Sequence, residues 1–326
     1  MSTRREILRS GLGFAAAAMS APAFAQAISK QVRVIVGFPA GGGTDIIARV
    51  LAERLRGIYA PTVIVENKPG AASRLSVEFV KNAEPDGTTM LVTPDFPLTV
   101  YPHSYRQLSY DPLTDVTPIA PITRSLLTFN VGPGVPDNVK TLADFIAWCK
   151  ANPGKSSFGT TAAGSTTHFA GAMLAAAAGV PMQAVHYRGG APALQDVLGG
   201  HIPASVNPIS EAMPLAKQGA LRILAVTGSQ RSKFAPEIPT MKEQGFDVVI
   251  DSWIGVFTPA RMPADQVSAL SRAIATATKA PEYAEALAKF GNEPAFETPD
   301  VFAARYKADI VKWGPIVKAS GFVAED

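Results

Sequence analysis

Residues 37–45, GFPAGGGTD, put three consecutive glycines and a threonine between the apolar run VRVIV and the helical pattern IIARVLAERL. Glycines at the mouth of a helix leave backbone N–H groups unshielded. First-turn donors lack partners there and the helix dipole favours negative charge, so the stretch is suited to holding an anion. A second stretch has the same form. Ala163-Gly164-Ser165-Thr166-Thr167-His168 shares an A-G-x-x-T pattern with Ala40-Gly41-Gly42-Gly43-Thr44-Asp45, and it too lies between a strand-like run and a helical one. Both turns would offer amides and hydroxyls to one kind of ligand.

Chemistry beyond holding an anion finds less support. Gly41-x-Gly43 follows a strand and Glu66 ends the next, as in a dinucleotide fingerprint, but Ile46 stands where the third glycine would allow close helix–sheet packing. No Gly-Lys-Ser/Thr follows the glycines, so a P-loop is excluded. Ser165 with His168 is a local candidate for a nucleophile and base. The four histidines (His103, His168, His186, His201) include no close metal-ligand pair, and there is no G-x-S-x-G elbow. His168 also reads as a residue that caps its turn or lines a pocket, and Asp45 as a first-turn acid that pins the loop. Tyr187 and Trp253 read as core or pocket wall, and Cys149 as core. The expectation is a binding protein with no catalytic residue, no metal and no cofactor. The alternative is an exported enzyme, a hydrolase or a dinucleotide-dependent one, using the same cleft.

The elements that must position these turns alternate. VRVIV, IIARVLAERLRGIYA, PTVIVEN, a helical stretch over 75–82 and TTMLVTP read as βαβαβ, hence a parallel sheet with helices on its faces. Ile46, Ile47, Val50, Leu51, Leu55 and Ile58 fall on one stripe of the first helix, opposite Arg49, Glu53 and Arg56. A less regular, proline-bearing passage (SYDPLTDVTPIAPI) follows. A second α/β series then opens with LLTFNV and LADFIAWCKANPG, and continues through AVHYRGG, APALQDVLGG and ALRILAVTG to DVVIDSWIGVFTP. The remainder reads as helical. If it returns to the first unit, the chain crosses between units twice, near Pro121–Thr128 and Ser252–Thr258, which makes a hinge.

The N-terminus is set apart from the fold. Arg4, Arg5 and Arg9 precede the apolar stretch GLGFAAAAMSAPAFA, and Ala23-Phe24-Ala25 fits small-x-small cleavage, so residues 1–25 read as an export signal of twin-arginine type. The whole chain carries a net charge of +3; setting aside three arginines and Glu6 leaves about +1, with no basic block, which excludes a nucleic-acid partner. A single cysteine in an exported chain leaves stability to core burial, and a 47% apolar composition over some 300 residues can supply it. No second apolar run is long enough to span a membrane, so a soluble periplasmic protein of two domains is expected.

The strings VRVIVGFPAGGGTDIIAR, VIVENKPGAAS, EPDGTTMLV, ANPGKSSFGTTAAGSTTHFAG, VHYRGGAPALQDVLGG, LRILAVTGSQRSKFAPEIPTMKEQG and SWIGVFTPARMP resemble, in order and over nearly the whole chain, the Bug-type extracytoplasmic solute receptors. These are the substrate-binding proteins of tripartite tricarboxylate transporters. The resemblance implies an α/β, two-lobed periplasmic binding protein of flytrap, type II-like form, each lobe a mostly parallel sheet flanked by helices. Residues 26–125 and 254–326 would form lobe 1, and 126–253 lobe 2. A small organic acid would be held between them and passed to membrane permease subunits. The family's two carboxylate-clasping turns match Phe38, Ala40, Gly41, Gly42, Gly43, Thr44 and Asp45 on one side, and Thr160, Thr161, Ala162, Gly164, Ser165, Thr166, Thr167 and His168 on the other. Tyr187 and Arg188 are expected beside them.

This chain departs from the family where the far end of a ligand would be read. Ala72-Ser73-Arg74-Leu75-Ser76 replaces small residues and asparagine, Thr93-Pro94-Asp95-Phe96-Pro97 follows the third strand, and Asn207-Pro208 stands where D-N is common. Thr93, Pro94, Asp95 and Asn207 are therefore expected to contact the distal group. A carboxylate at Asp95 would favour a monocarboxylate with a polar or cationic far end.

Overall fold

The structure, a computed structural model, describes residues 28–324, so the expected export signal lies outside the described residues. The first alternating series forms as read: β1 (Val32–Val36), α1 (Gly43–Leu55), β2 (Val63–Asn67), α2 (Arg74–Lys81) and β3 (Thr89–Pro94). Both β2 and β3 pair parallel to β1. Of the expected stripe, Ile47, Leu51 and Leu55 on α1 are buried and Ile46 and Val50 half-buried, while Ile58 lies beyond the helix and Ala48, outside the stripe, is buried as well. Two short helices, α3 (Phe96–Thr99) and α4 (Tyr101–Ser104), lead to β4 (Val116–Ser125). The first seven residues of that strand, 116–122, belong to the passage read as irregular. The strand accommodates Pro118 and Pro121 because its pairing with the later strand Ser252–Pro259 shifts register twice.

The chain then enters a second sheet through β5 (Leu127–Val131) and continues with α5 (Leu142–Ala151), β6 (Ser157–Thr160), α6 (Thr166–Ala178), β7 (Gln183–His186) and α7 (Gly190–Leu198). It completes the sheet with β8 (Ala204–Pro208), α8 (Ile209–Lys217) and β9 (Arg222–Val226). Thr141 and Asp144 start α5 with a reciprocal capping box. The sequence reading contains no helix over 209–217. Pro208 sits at the N-cap and Pro214 inside the helix, which hides its periodicity.

The chain returns along β10 (Ser252–Pro259) to α9 (Ala264–Lys279), α10 (Pro281–Ala288), the two-residue β11 (Glu293–Pro294) and α11 (Pro299–Ser320). The sheets run β11-β4-β10-β3-β1-β2 and β7-β6-β8-β5-β9. Both follow one plan: a strand arriving from the other sheet, β10 or β5, is inserted antiparallel between the third and fourth strands of the series. Most strands in each sheet otherwise point the same way, so the carboxyl ends of β1, β3, β6 and β8 all open toward the space between the sheets.

α9 and α10 pack on α1, as a returning C-terminal segment should, while α11 lies along β4, α3 and α4 and also reaches α6. One core, with Val36, Ile47, Leu51, Met90 and Ile274, covers one face of the first sheet, and another, with Leu91, Trp253, Phe257 and Phe302, covers the opposite face. The third core surrounds Phe129, Phe145, Cys149, Phe158 and Phe169 in the second sheet, and it takes in Tyr101, Trp313 and Val317 from the other half.

Candidate functional site

Asp45 builds the first turn from behind. Its Oδ2 accepts from Gly41 N–H at 2.8 Å and from Arg49 Nε at 2.9 Å, and its Oδ1 accepts from Asn67 Nδ2 at 2.8 Å. Asn67 also donates to the Phe38 carbonyl at 3.0 Å, so the end of β2 ties the loop down. Burial pulls the Asp45 carboxyl upward, but the hydrogen bonds from Arg49, Gly41 and Asn67 outweigh it and hold the group below its usual range. Gly41, at φ +82°, sits in the left-handed region that the turn requires. Gly42 caps α1 without a side-chain hydrogen bond, and Gly43 and Thr44 line the space between the sheets.

The second turn is closed by its own hydroxyls. Ser165 caps α6, accepting from His168 N–H at 3.3 Å and donating to the Ala162 carbonyl at 2.7 Å. Thr167 Oγ1 lies 2.7 Å from Ser165 Oγ and accepts from Thr161 N–H at 3.0 Å. Thr160 Oγ1 contacts His186 Nδ1 at 2.8 Å. His168 Nδ1 accepts from Gly164 N–H at 3.2 Å, and burial, then the neighbouring His186, bring its pKa down to about 4. The imidazole is therefore neutral near pH 7, with Nδ1 occupied by its own turn. It is not hydrogen-bonded to Ser165 Oγ, so the two do not form a nucleophile–base pair.

A cavity lies between the sheets, walled by the N-termini of α1, α6, α7 and α8, by Phe96 at the start of α3 and by both crossing strands. Of the residues expected at the site, Phe38, Ala40, Gly42, Gly43, Thr44, Pro94, Thr161, Thr166, Thr167 and Arg188 line it. Gly41, Asp45, Thr160, Gly164, Ser165 and His168 stand behind that wall and shape the turns. Ala162 and Tyr187 line an adjoining hollow that shares Phe38, Pro39, Thr161 and Arg188 with the main cavity. Tyr187 donates to Asp196 Oδ2 at 2.6 Å. Thr93 and Asp95 are buried outside the cavity lining, and Asp95 lies beside Ser252, which does line it. Burial, and then nearby Asp309, push the Asp95 carboxyl up to about 7, and its Oδ1 has no hydrogen-bond partner.

Sequence reasoning did not include Pro39, Phe96, Ser125, Leu127, Gly189, Gly190, Pro208, Ser210, Glu211, Ser252 or Ile254, all of which line the cavity. The A-P-A and Gly-Gly of RGGAPAL signalled the α7 terminus, whereas nothing local signalled Glu211. That residue reaches across from α8, and its Oε1 accepts from Gly43 N–H at 3.1 Å. Asn207, expected to touch ligand directly, instead donates to Glu211 Oε2 at 3.2 Å. The cavity can hold an anion on the first-turn amides of α1 and α6, which have no intrahelical acceptor, against largely apolar walls.

Comparison with known proteins decides the family. Residues 47–322 match the family described as the tripartite tricarboxylate transporter family receptor. The chain belongs to this family. A Cupriavidus necator relative, the UPF0065 protein in the gbd 5' region, is 35% identical over 320 residues, spanning 96% of this chain and 95% of that one. The periplasmic binding protein BugD superposes on this receptor with a TM-score of 0.83 at 28% identity, covering 90% of this chain and 99% of BugD. An R. palustris protein solved with adipate gives 0.86 at 29% identity, over 90% and 98% of the two chains. The receptor thus has the two-sheet α/β architecture of the periplasmic binding proteins.

Proposed function

We propose that this receptor works in the periplasm, captures a small organic carboxylate between two lobes and hands it, chemically unchanged, to the membrane subunits of a tripartite permease. Lobe 1 would comprise residues 26–125 and 254–326, and lobe 2 residues 126–253. The observation that carries the reading is the facing of two helix N-termini, α1 from one sheet and α6 from the other, across one cavity. A carboxylate touching both is held fully only when the lobes are together, which couples binding to closure. The adipate bound to the R. palustris relative supports the ligand class.

Mass spectrometry of small molecules released by denaturing the purified protein is expected to find a carboxylic acid, and prolonged incubation with that acid to return it unaltered. Recovery of a converted product would replace the receptor with an enzyme. The clasp would be chiefly backbone. Gly42→Val is expected to weaken binding by at least about tenfold, roughly 1.4 kcal/mol, by crowding the α1 amides. Exposed Arg188 lies on the cavity wall. If Arg188→Ala abolished binding while folded Gly42→Val bound normally in calorimetry, the helix-terminus mechanism would be wrong.

A further inference from the structure

Glu211 is the third residue of α8, and its carboxylate crosses the cavity to a helix of the opposite sheet. Oε1 accepts from the first amide of α1, Gly43 N–H, at 3.1 Å, and Oε2 accepts from Asn207 Nδ2 at 3.2 Å. The same Asn207 amide group donates to the Gly190 carbonyl at 3.2 Å. The neighbouring positions are shaped around this group. A Cβ added to Gly190 would stand 1.6 Å from Glu211 Oε2, and one added to Gly43 would stand 2.6 Å from Ser210 Oγ and 3.5 Å from Glu211 Oε1. Replacing either hydrogen by a side chain would displace the carboxylate or its support. Among the described residues no lysine or arginine donates to it, and burial pushes its carboxyl above the usual range against the pull of Gly43 and Asn207.

We infer that Glu211 determines which carboxylates this receptor accepts: it excludes a ligand with a second carboxylate at this end and selects one that brings a hydrogen-bond donor, an ammonium or a hydroxyl. The inference rests on the receptor reading above and deepens it. Gly43 and Thr44 at the α1 terminus line the cavity, and Glu211 takes the amide of Gly43. Thr44, with Thr166 and Thr167 opposite, remains for one ligand carboxylate. A carboxylate offers about four acceptor sites, of which two are filled here, so a donor from the ligand can be received without moving Glu211. A second ligand carboxylate would meet this anion among the apolar walls of Phe38, Phe96, Leu127 and Ile254, and Arg188, the cation of the cavity lining, makes no ion pair with Glu211.

The test uses straight-chain carboxylates matched in length, whose far end is a methyl, a hydroxyl, an ammonium or a second carboxylate; adipate, 6-aminohexanoate, 6-hydroxyhexanoate and hexanoate are one such set. Affinities are measured by calorimetry near neutral pH on the native protein and on Glu211→Gln, in which the amide oxygen can still accept from Gly43. The native protein is expected to bind the best ammonium or hydroxyl member at least about tenfold more tightly than its dicarboxylate counterpart, and Glu211→Gln to lower that ratio by about tenfold or more. Glu211→Ser is a second variant with the same expected loss of discrimination, should the glutamine variant not fold. A dicarboxylate bound best by the native protein, or a ratio unchanged in the folded variants, would overturn the inference while leaving the receptor reading intact. Binding by no member of any set would remove the receptor reading and this inference with it.

Discussion

Asp95 and Asp45 are both buried aspartates next to a helix start, yet their surroundings drive them in opposite directions. Asp45 has three donors and is held ionised; Asp95 is driven by its complete burial, and then by nearby Asp309, to a pKa of about 7. The linkage sign follows. Between the ordinary value of 3.8 and about 7 the native state keeps a proton at Asp95 that the unfolded chain has released. Stability therefore falls as pH rises through that window and levels off above it. Asp95→Asn is expected to remove this decline, stabilising the protein near pH 8 and having little effect near pH 4. Urea unfolding at several pH values checks it; parallel pH profiles for the two proteins would mean that Asp95 is ionised in the fold.

At the level of elements, the loop from β2 into α2 holds an unusual backbone. Gly70 has φ 151°, and the three residues after it, Ala71, Ala72 and Ser73, have φ of 44°, 52° and 76°. Left-handed conformations cost a non-glycine residue roughly 1–2 kcal/mol each. They persist here because Ser73 is buried, with Oγ 3.0 Å from Ser76 Oγ, and because Tyr101 donates to the Ala72 carbonyl. Ala72→Gly is expected to raise stability by about 0.5 kcal/mol, the strain relieved less the added freedom of the unfolded chain. Gly70→Ala should lower stability by about 1–3 kcal/mol, since that backbone region is open to glycine and a Cβ would stand 2.5 Å from Leu75 Cδ1. Chemical denaturation of the two variants should move in opposite directions.

Across the whole molecule, the halves are joined by more than the two crossings, β4 to β5 and β9 to β10. α11 runs beside the first sheet and inserts Trp313 into the core of the second, with its ring 5.9 Å from that of Phe169 on α6. Beyond the helix, Phe322 packs edge-on to His168 with centroids 4.6 Å apart, and Ala324 N–H donates to the Ser104 carbonyl at 2.7 Å. This seam lies at one side of the cleft, so an opening motion would have to pivot about it or break it. Trp313→Ala is expected to cost about 3–5 kcal/mol, as for other large-to-small changes in a packed core. A loss under about 1 kcal/mol in equilibrium unfolding would indicate that the seam is open in solution.

Local pattern was enough for the two glycine–threonine turns at helix starts and for the alternation that carries them. Glycine and threonine between a β-branched run and an amphipathic helix have the same meaning wherever the chain goes, because the free amides belong to the helix terminus itself. Stripe periodicity likewise identified Ile47, Leu51 and Leu55 on the buried face of α1, and the stretch 121–128 contains the first crossing between the sheets, whereas the second is completed before 252–258, which lies within β10. What depends on distant partners was not legible. Asp95 reads as a cleft residue because β3 ends there, but it is buried beside Ser252 of β10, and it is Ser252 that lines the cavity. Nothing near Glu211 in the sequence singles it out, and only the approach of α8 to α1, 168 residues earlier in the chain, puts its carboxylate on the Gly43 amide. Helix termini are set by neighbours a few residues away. Which side chain faces them is set by packing between sheets, a relation that no local window of sequence contains.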